Sequence, residues 1–156
     1  MPKVVFPEMS DESSNCAQPP SPFVQNEQRT VCVSTWNVNS VKARLPALTA
    51  YLQEKKPDVV MLQEIKTETE NFPAFELSSM GYYSAAKGQK SYNGVALAAR
   101  EPLELLKDTL PGAPDGGEQA RFIEAYCPAL KTRLISVYVP NGEPPATDPD
   151  STYKLE

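Results

Sequence analysis

Histidine is absent from this 156-residue chain, and the absence removes two chemistries at once. A Ser-His-Asp triad needs an imidazole base, so this chain alone completes none. Zinc held through imidazole nitrogens is excluded for the same reason. Long apolar runs are lacking too. Nothing approaches the roughly 18–20 consecutive apolar residues of a membrane-spanning helix, and no membrane partner is expected. The opening residues Met1 to Pro7 have no basic stretch followed by a long apolar run, so a secretory leader is not expected either. Cysteine is sparse and odd in number, with Cys16, Cys32 and Cys127 too widely spaced for a CxxC pair or a disulfide framework. We read Cys32 and Cys127 as small apolar residues in strands and Cys16 as an incidental thiol, which points to a reducing, cytoplasmic setting. Internal repeats are absent.

What remains is enough for one ordinary domain and too little for two. Hydrophobic residues make up 40% of the chain, which suits a globular fold, whereas 16 prolines are about twice the usual share. The net charge is −5 and is unevenly spread. Residues 31–100 carry eight bases and six acids, while residues 101–156 carry five bases and ten acids. Such a chain does not attract nucleic acid through its overall charge. If it handles phosphate esters, local lysines or a carboxylate-held cation must overcome the unfavourable field.

Residues 1–30 are rich in Ser, Pro, Asn, Gln and acids without sustained periodicity, and are expected to form a disordered N-terminal tail. The ordered domain is expected over residues 31–156. Val31–Trp36 reads as a strand ending in the polar turn Asn37–Ser40. Val41, Leu45, Leu48 and Leu52 recur at helical spacing. Proline suits a first helical turn, so Pro46 places the main helix start near Leu45, and Pro57 stops the helix. Asp58–Leu62 is an apolar strand without alternation, as expected when both faces are covered. A short helix over Pro73–Ser79 ends before Gly81. Tyr82–Ala86 and Gly94–Ala99 read as paired strands around the basic loop Lys87–Asn93. Arg121–Tyr126 and Leu134–Val139 read as two more, and Tyr153–Leu155 as the start of a helix.

Glu64 follows an apolar strand, and Asn37 follows another. If those strands are parallel neighbours, both side chains emerge at the carboxyl ends, where open α/β sheets bind ligands. A carboxylate with amide oxygens nearby suits a hard cation that keeps most of its waters. The residues equally allow Glu64 to pair with Lys66 and Asn37 to make a turn. Trp36 is expected to pack. Tyr92 can either stack on a base or cover the core.

Pro57-Asp58-Val59-Val60-Met61-Leu62-Gln63-Glu64-Ile65-Lys66 resembles the signature of the exonuclease III family of apurinic/apyrimidinic endonucleases. Thr35–Arg44 resembles that family's N-terminal motif, and Tyr92–Ala96, Glu118–Ala125 and Val137–Gly142 resemble later blocks in the same order. The resemblance implies an α/β fold of the deoxyribonuclease I-like kind, here half of a two-sheet β-sandwich flanked by helices and truncated. It implies a repair nuclease that hydrolyses phosphodiesters 5′ to abasic sites and at DNA 3′ ends with Mg²⁺ or Mn²⁺. The partner it implies is double-stranded DNA carrying abasic sites or 3′ ends, and the complete protein would be a monomer. Carried over by motif, Glu64 is the metal ligand, Asn37 lies in the metal and phosphate pocket, and Tyr138 is the active-site tyrosine. Lys42 and Asn141 are the DNA-binding candidates. The family's Gly-Asp-x-Asn block, a later Asp and a Ser-Asp-His block have no counterpart in this sequence. The resemblance therefore implies the N-terminal portion of a longer enzyme, inactive as this chain because the water-activating aspartate and a histidine are missing. A single sheet left from a sandwich would also expose its inner apolar face. Two other readings stand beside this one: a different phosphodiesterase or phosphatase of the superfamily, and a non-catalytic binding module.

Overall fold

The computed structural model describes residues 30–113 and 116–141. The expected tail, Cys16 and the expected helix at Tyr153–Leu155 lie outside the described residues. Strand β1 (Val33–Asn37) leads into helix α1 (Val41–Lys55), which returns the chain to strand β2 (Val59–Gln63). A single 3-10 turn over Thr69–Asn71 and the short helix α2 (Ala74–Ser79) precede strands β3 (Tyr83–Lys87) and β4 (Val95–Ala99). Strands β5 (Glu104–Lys107), β6 (Phe122–Cys127) and β7 (Thr132–Val137) follow. The first four strands form one sheet in the order β1-β2-β4-β3, and the last three form a second in the order β5-β6-β7.

Helix α1 starts at Val41, four residues before the position that Pro46 suggested. The hydroxyl of Ser40 accepts from the N–H of Ala43 at 3.4 Å. The N–H groups of Ser40 and Val41 donate to the carbonyls of Glu64 and Ile65 at 2.8 and 3.0 Å. These bonds satisfy donors that a helix start otherwise leaves unpaired. Pro46 thus sits inside the helix, where it gives no N–H to the carbonyl of Lys42. Lys42 is exposed, so water can take up that carbonyl. At the other end Lys56 adopts a left-handed cap with φ 47°, and Pro57 follows.

Alternation along the strands splits the core into two layers. Val60, Leu62, Ala96 and Ala98 face Leu48 and Leu52 of α1 and Leu77 of α2. Val59, Val95, Leu97 and Ala99 point the other way and meet Ile123, Ala125, Cys127 and Leu134 of the second sheet. The expectation of an uncovered inner sheet face is therefore corrected, because both sheets are present and packed. The missed element is β5, whose four residues are all exposed. It carries no apolar alternation and is held by pairing with β6 across a register shift at Leu105 to Lys107. Cys127 is buried in β6 as expected, whereas Cys32 is exposed and lies just before β1. Trp36 packs against the α1 layer, edge-on to Tyr51 with ring centroids 6.1 Å apart. No helix among the described residues is long and apolar enough to cross a membrane.

Tyr82 ties this layer together. It is buried, and its hydroxyl donates to the carbonyl of Pro57 at 2.8 Å. Burial, above all, raises its pKa above the ordinary value. A proton held more tightly in the folded state gives stability that is complete below about pH 10 and is lost as pH rises through the raised folded value. Tyr82→Phe is expected to cost about 1 kcal/mol near neutrality. Urea unfolding should show the gap to the wild type narrowing at about pH 10.5. A gap that widens there would contradict this role for the hydroxyl.

Candidate functional site at the strand rim

Strands β1 and β2 are parallel neighbours, with Asn37 opposite Gln63. Both chains therefore leave the sheet at the same rim, and the next residue of β2 is Glu64. The Asn37 side-chain N–H donates to Glu64 Oε1 at 2.7 Å. Asn37 Oδ1 accepts from the backbone N–H of Asn39 at 3.1 Å, which is the turn the sequence allowed. Glu64 Oε2 lies 3.1 Å from Lys66 Nζ, so the ion pair that the sequence left open forms as well. The two arrangements coexist.

Tyr138 comes from the second sheet. Along β7 the inward positions are Leu134 and Ser136, both buried, and the same alternation carries Tyr138 inward past the strand end. The hydroxyl of Ser136 donates to the carbonyl of Leu62 at 3.2 Å and accepts from the Gln63 side-chain N–H at 3.0 Å. The N–H of Tyr138 donates to the carbonyl of Arg121 at 2.9 Å. This polar seam fixes the end of β7 against the end of β2 and brings the Tyr138 hydroxyl into a hydrogen bond with Glu64. The Glu64 carboxyl is held below the ordinary range by the Asn37 amide first, then by Lys66 and the Tyr138 hydroxyl, against the opposing effect of burial. Its side chain is 18% exposed. It is thus an ionised carboxylate at the surface, aimed by donors from both sheets.

The backbone around the cluster is unusual. Asn39, Glu64, Lys66 and Asn93 have φ of 41°, 53°, 49° and 49°, all left-handed without being glycine. Such conformations cost energy and persist only where surrounding bonds impose them. Here the N–H groups of Ile65 and Lys66 donate to the carbonyls of Gly94 and Asn93 at 3.1 and 3.0 Å, and Gly94 N–H donates to Ala120 O at 2.8 Å.

The structure brings Asn37, Glu64 and Tyr138 together and leaves two candidates apart. Lys42 is exposed in the first turn of α1, and Asn141 is exposed three residues after Tyr138. Among the described residues no hydrogen bond or ion pair joins either of them to Asn37 or Glu64. Tyr92 is 70% exposed, so it does not serve as a cover for the core. Sequence reading named Lys66 only as a partner for Glu64 and gave Asn39 no part. Lys66 Nζ donates to Asn39 Oδ1 at 2.5 Å. Strand alternation does not point to either, because Asn39 and Lys66 lie past the strand ends in left-handed backbone.

A hard divalent cation fits the donors present. Glu64 offers two carboxylate oxygens with spare acceptor capacity, Asn37 adds an amide oxygen, and such ions take one or two carboxylates and keep several waters. Among the described residues no group of three or more His, Cys, Asp or Glu side chains forms a closed cage. The donors therefore suit an open, largely hydrated site.

Two packed sheets with outer helices, and a polar cluster where parallel strands end, define a two-layer α/β sandwich with its site on the rim. Residues 34–154 match the Endonuclease/Exonuclease/phosphatase family, and the chain belongs to that family. Its similarity lies with the exonuclease III and AP endonuclease members. It is 33% identical over 114 residues to an exodeoxyribonuclease III of Haemophilus influenzae, covering 70% of this chain and 41% of the relative. Among solved structures it is similar to a 3′ phosphatase from Neisseria bound to a product DNA hairpin, with 39% identity and TM-score 0.70 over 76% of this chain and 45% of that one. An AP endonuclease from Archaeoglobus fulgidus is similar at 34% identity and TM-score 0.67, over 72% of this chain and 42% of that one. The chain thus spans less than half the length of these relatives.

Proposed function

We propose that the complete gene product is a divalent-metal-dependent DNA repair nuclease, hydrolysing phosphodiesters 5′ to abasic sites and acting on DNA 3′ ends. The observation that carries this reading is the convergence of Asn37, Glu64 and Tyr138 at one rim, contributed by two different sheets. Glu64 holds the Mg²⁺ or Mn²⁺, with Asn37 orienting its carboxylate and available as a second oxygen donor. When bound, the ion supplies Lewis-acid stabilisation of charge developing on phosphate oxygens. Tyr138 donates its hydroxyl to a phosphate oxygen, a fixed donor of the kind that is typically worth about 2.7–4 kcal/mol. Lys42 and Asn141 contact the DNA backbone, the Lys42 charge locally offsetting the net −5. Double-stranded DNA is the partner, the complete protein acts as a monomer, and a reducing cytoplasm suits its free thiols. The 156-residue chain alone is expected not to turn over, because general-base catalysis contributes about 10²–10⁴-fold and no residue assigned here supplies it.

The acidic charge favours a second reading, a phosphatase or phosphodiesterase of the same family acting on a small phosphate ester. A non-catalytic binding module is the third. A labelled duplex with one abasic site separates them when incubated with the complete gene product. Incision 5′ to the site that needs Mg²⁺ is expected, slowed about 10²-fold or more in Tyr138→Phe. Release of phosphate from small esters without incision would select the second reading. Metal or DNA binding without any hydrolysis would select the third.

A further inference from the structure

The Lys66 ammonium occupies the position of a cation. It is held between one carboxylate oxygen, Glu64 Oε2 at 3.1 Å, and one amide oxygen, Asn39 Oδ1 at 2.5 Å. Two hard oxygens converging on a positive charge are also what a small divalent ion requires. The lysine is tethered there. Its N–H is bonded to the carbonyl of Asn93, its φ is 49°, and its side chain is only 31% exposed. Asn39, which supplies the second oxygen, is itself left-handed at φ 41°, and its N–H is bonded to Asn37 Oδ1. The chain thus arranges strained backbone on both sides of this ammonium.

We propose that Lys66 is a built-in competitor for the divalent ion at Glu64, occupying the carboxylate while the ion is absent and yielding Oε2 when it binds. The proposal rests on the reading of Glu64 as the metal ligand. The physical basis is simple. A carboxylate already neutralised by a bonded ammonium attracts a second cation less, and a divalent ion within a few ångströms of the ammonium is repelled by it. The ammonium also keeps Glu64 paired in the ion-free protein, so an ionised carboxylate at a partly buried rim is never left without a counter-charge. Removing the lysine charge should therefore tighten metal binding. A lysine whose only task is to support the site, or to bind phosphate, gives the opposite result or none.

The test is titration of the full chain with Mn²⁺ alone, read from the loss of the free-ion electron paramagnetic resonance signal. Wild type, Lys66→Met, Lys66→Arg, Glu64→Ala and the Glu64→Ala/Lys66→Met pair are compared, with circular dichroism to confirm folding. Lys66→Met is expected to bind Mn²⁺ about tenfold more tightly than wild type, the scale set by one unit charge a few ångströms from a divalent ion in water. Lys66→Arg keeps the charge and should stay near wild type. Glu64→Ala should remove the binding in both backgrounds. If Lys66→Met does not fold, Lys66→Asn serves, since asparagine tolerates the left-handed backbone. Folded Lys66→Met or Lys66→Asn binding no more tightly than wild type, while Glu64→Ala still abolishes binding, overturns this proposal and leaves Glu64 as the ligand. Undiminished binding in Glu64→Ala overturns the metal assignment itself, and the competition with it. Absence of binding in wild type and Lys66 variants alike also rejects both.

Discussion

Replacing Gly94 with alanine is expected to be strongly destabilising for a change of one methyl group. Gly94 has φ 89°, and a Cβ built there would lie 2.4 Å from Ile65 Cγ1. Ile65 is fully buried, so it cannot swing aside into solvent. A side chain at this left-handed φ costs roughly 1–2 kcal/mol, and overpacking adds typically about 1–3 kcal/mol. Together these remove a large part of a stability that rarely exceeds about 15 kcal/mol. The melting temperature should fall by about 5–15 °C for a domain of this size. The damage should also reach the rim. Gly94 O accepts the N–H of Ile65, and Asn93 O accepts the N–H of Lys66, so pushing Ile65 away moves the two residues that follow Glu64. Differential scanning calorimetry of Gly94→Ala checks the first effect. A melting temperature within 2 °C or so of wild type would show that the strand relaxes around the methyl.

Much of this arrangement is legible in the amino-acid sequence, for identifiable reasons. The apolar run Val59–Leu62 reads as a buried strand because both of its faces are covered, one by α1 and one by the second sheet. Asn37 and Glu64 were recognisable as neighbours once the two strands were taken as parallel. The start of α1 was misplaced because local chemistry favours proline in a first turn, whereas the true start is set by bonds to Glu64 and Ile65, more than twenty residues away. Strand β5 was invisible because all four of its residues face solvent on at least one side. Strands β6 and β7 of the second sheet could be read one by one, but not their assignment to a separate layer, so the covered inner face was missed. That assignment depends on Ile123, Ala125 and Cys127 meeting Val95, Leu97 and Ala99, a contact between segments with no local signal linking them. The inward direction of Tyr138 follows from the alternation of buried Leu134 and Ser136, which becomes visible only once the two sheets are packed together.

Glu64→Ala should separate function from folding. In the complete gene product, Mg²⁺-dependent incision is expected to fall by about 10²–10³-fold or more, the scale seen when one group that stabilises developing charge is removed. Stability should change far less. The substitution removes the bond from Asn37 at 2.7 Å and the pairing with Lys66 at 3.1 Å, but both partners can turn to water. A partly exposed surface pair of this kind contributes about 0–1 kcal/mol. Position 64 keeps its φ of 53°, and alanine tolerates that no better than glutamate does. Glu64→Gly relieves the backbone cost of about 1–2 kcal/mol and should therefore unfold at a higher denaturant concentration than Glu64→Ala. It should cleave just as poorly. A carboxylate set in a costly conformation, whose removal leaves folding nearly intact and abolishes activity, is what a site maintained for its chemistry looks like. Incision that persists undiminished in Glu64→Ala, still dependent on Mg²⁺, would place the ion elsewhere and reduce the rim cluster to a turn and an ion pair.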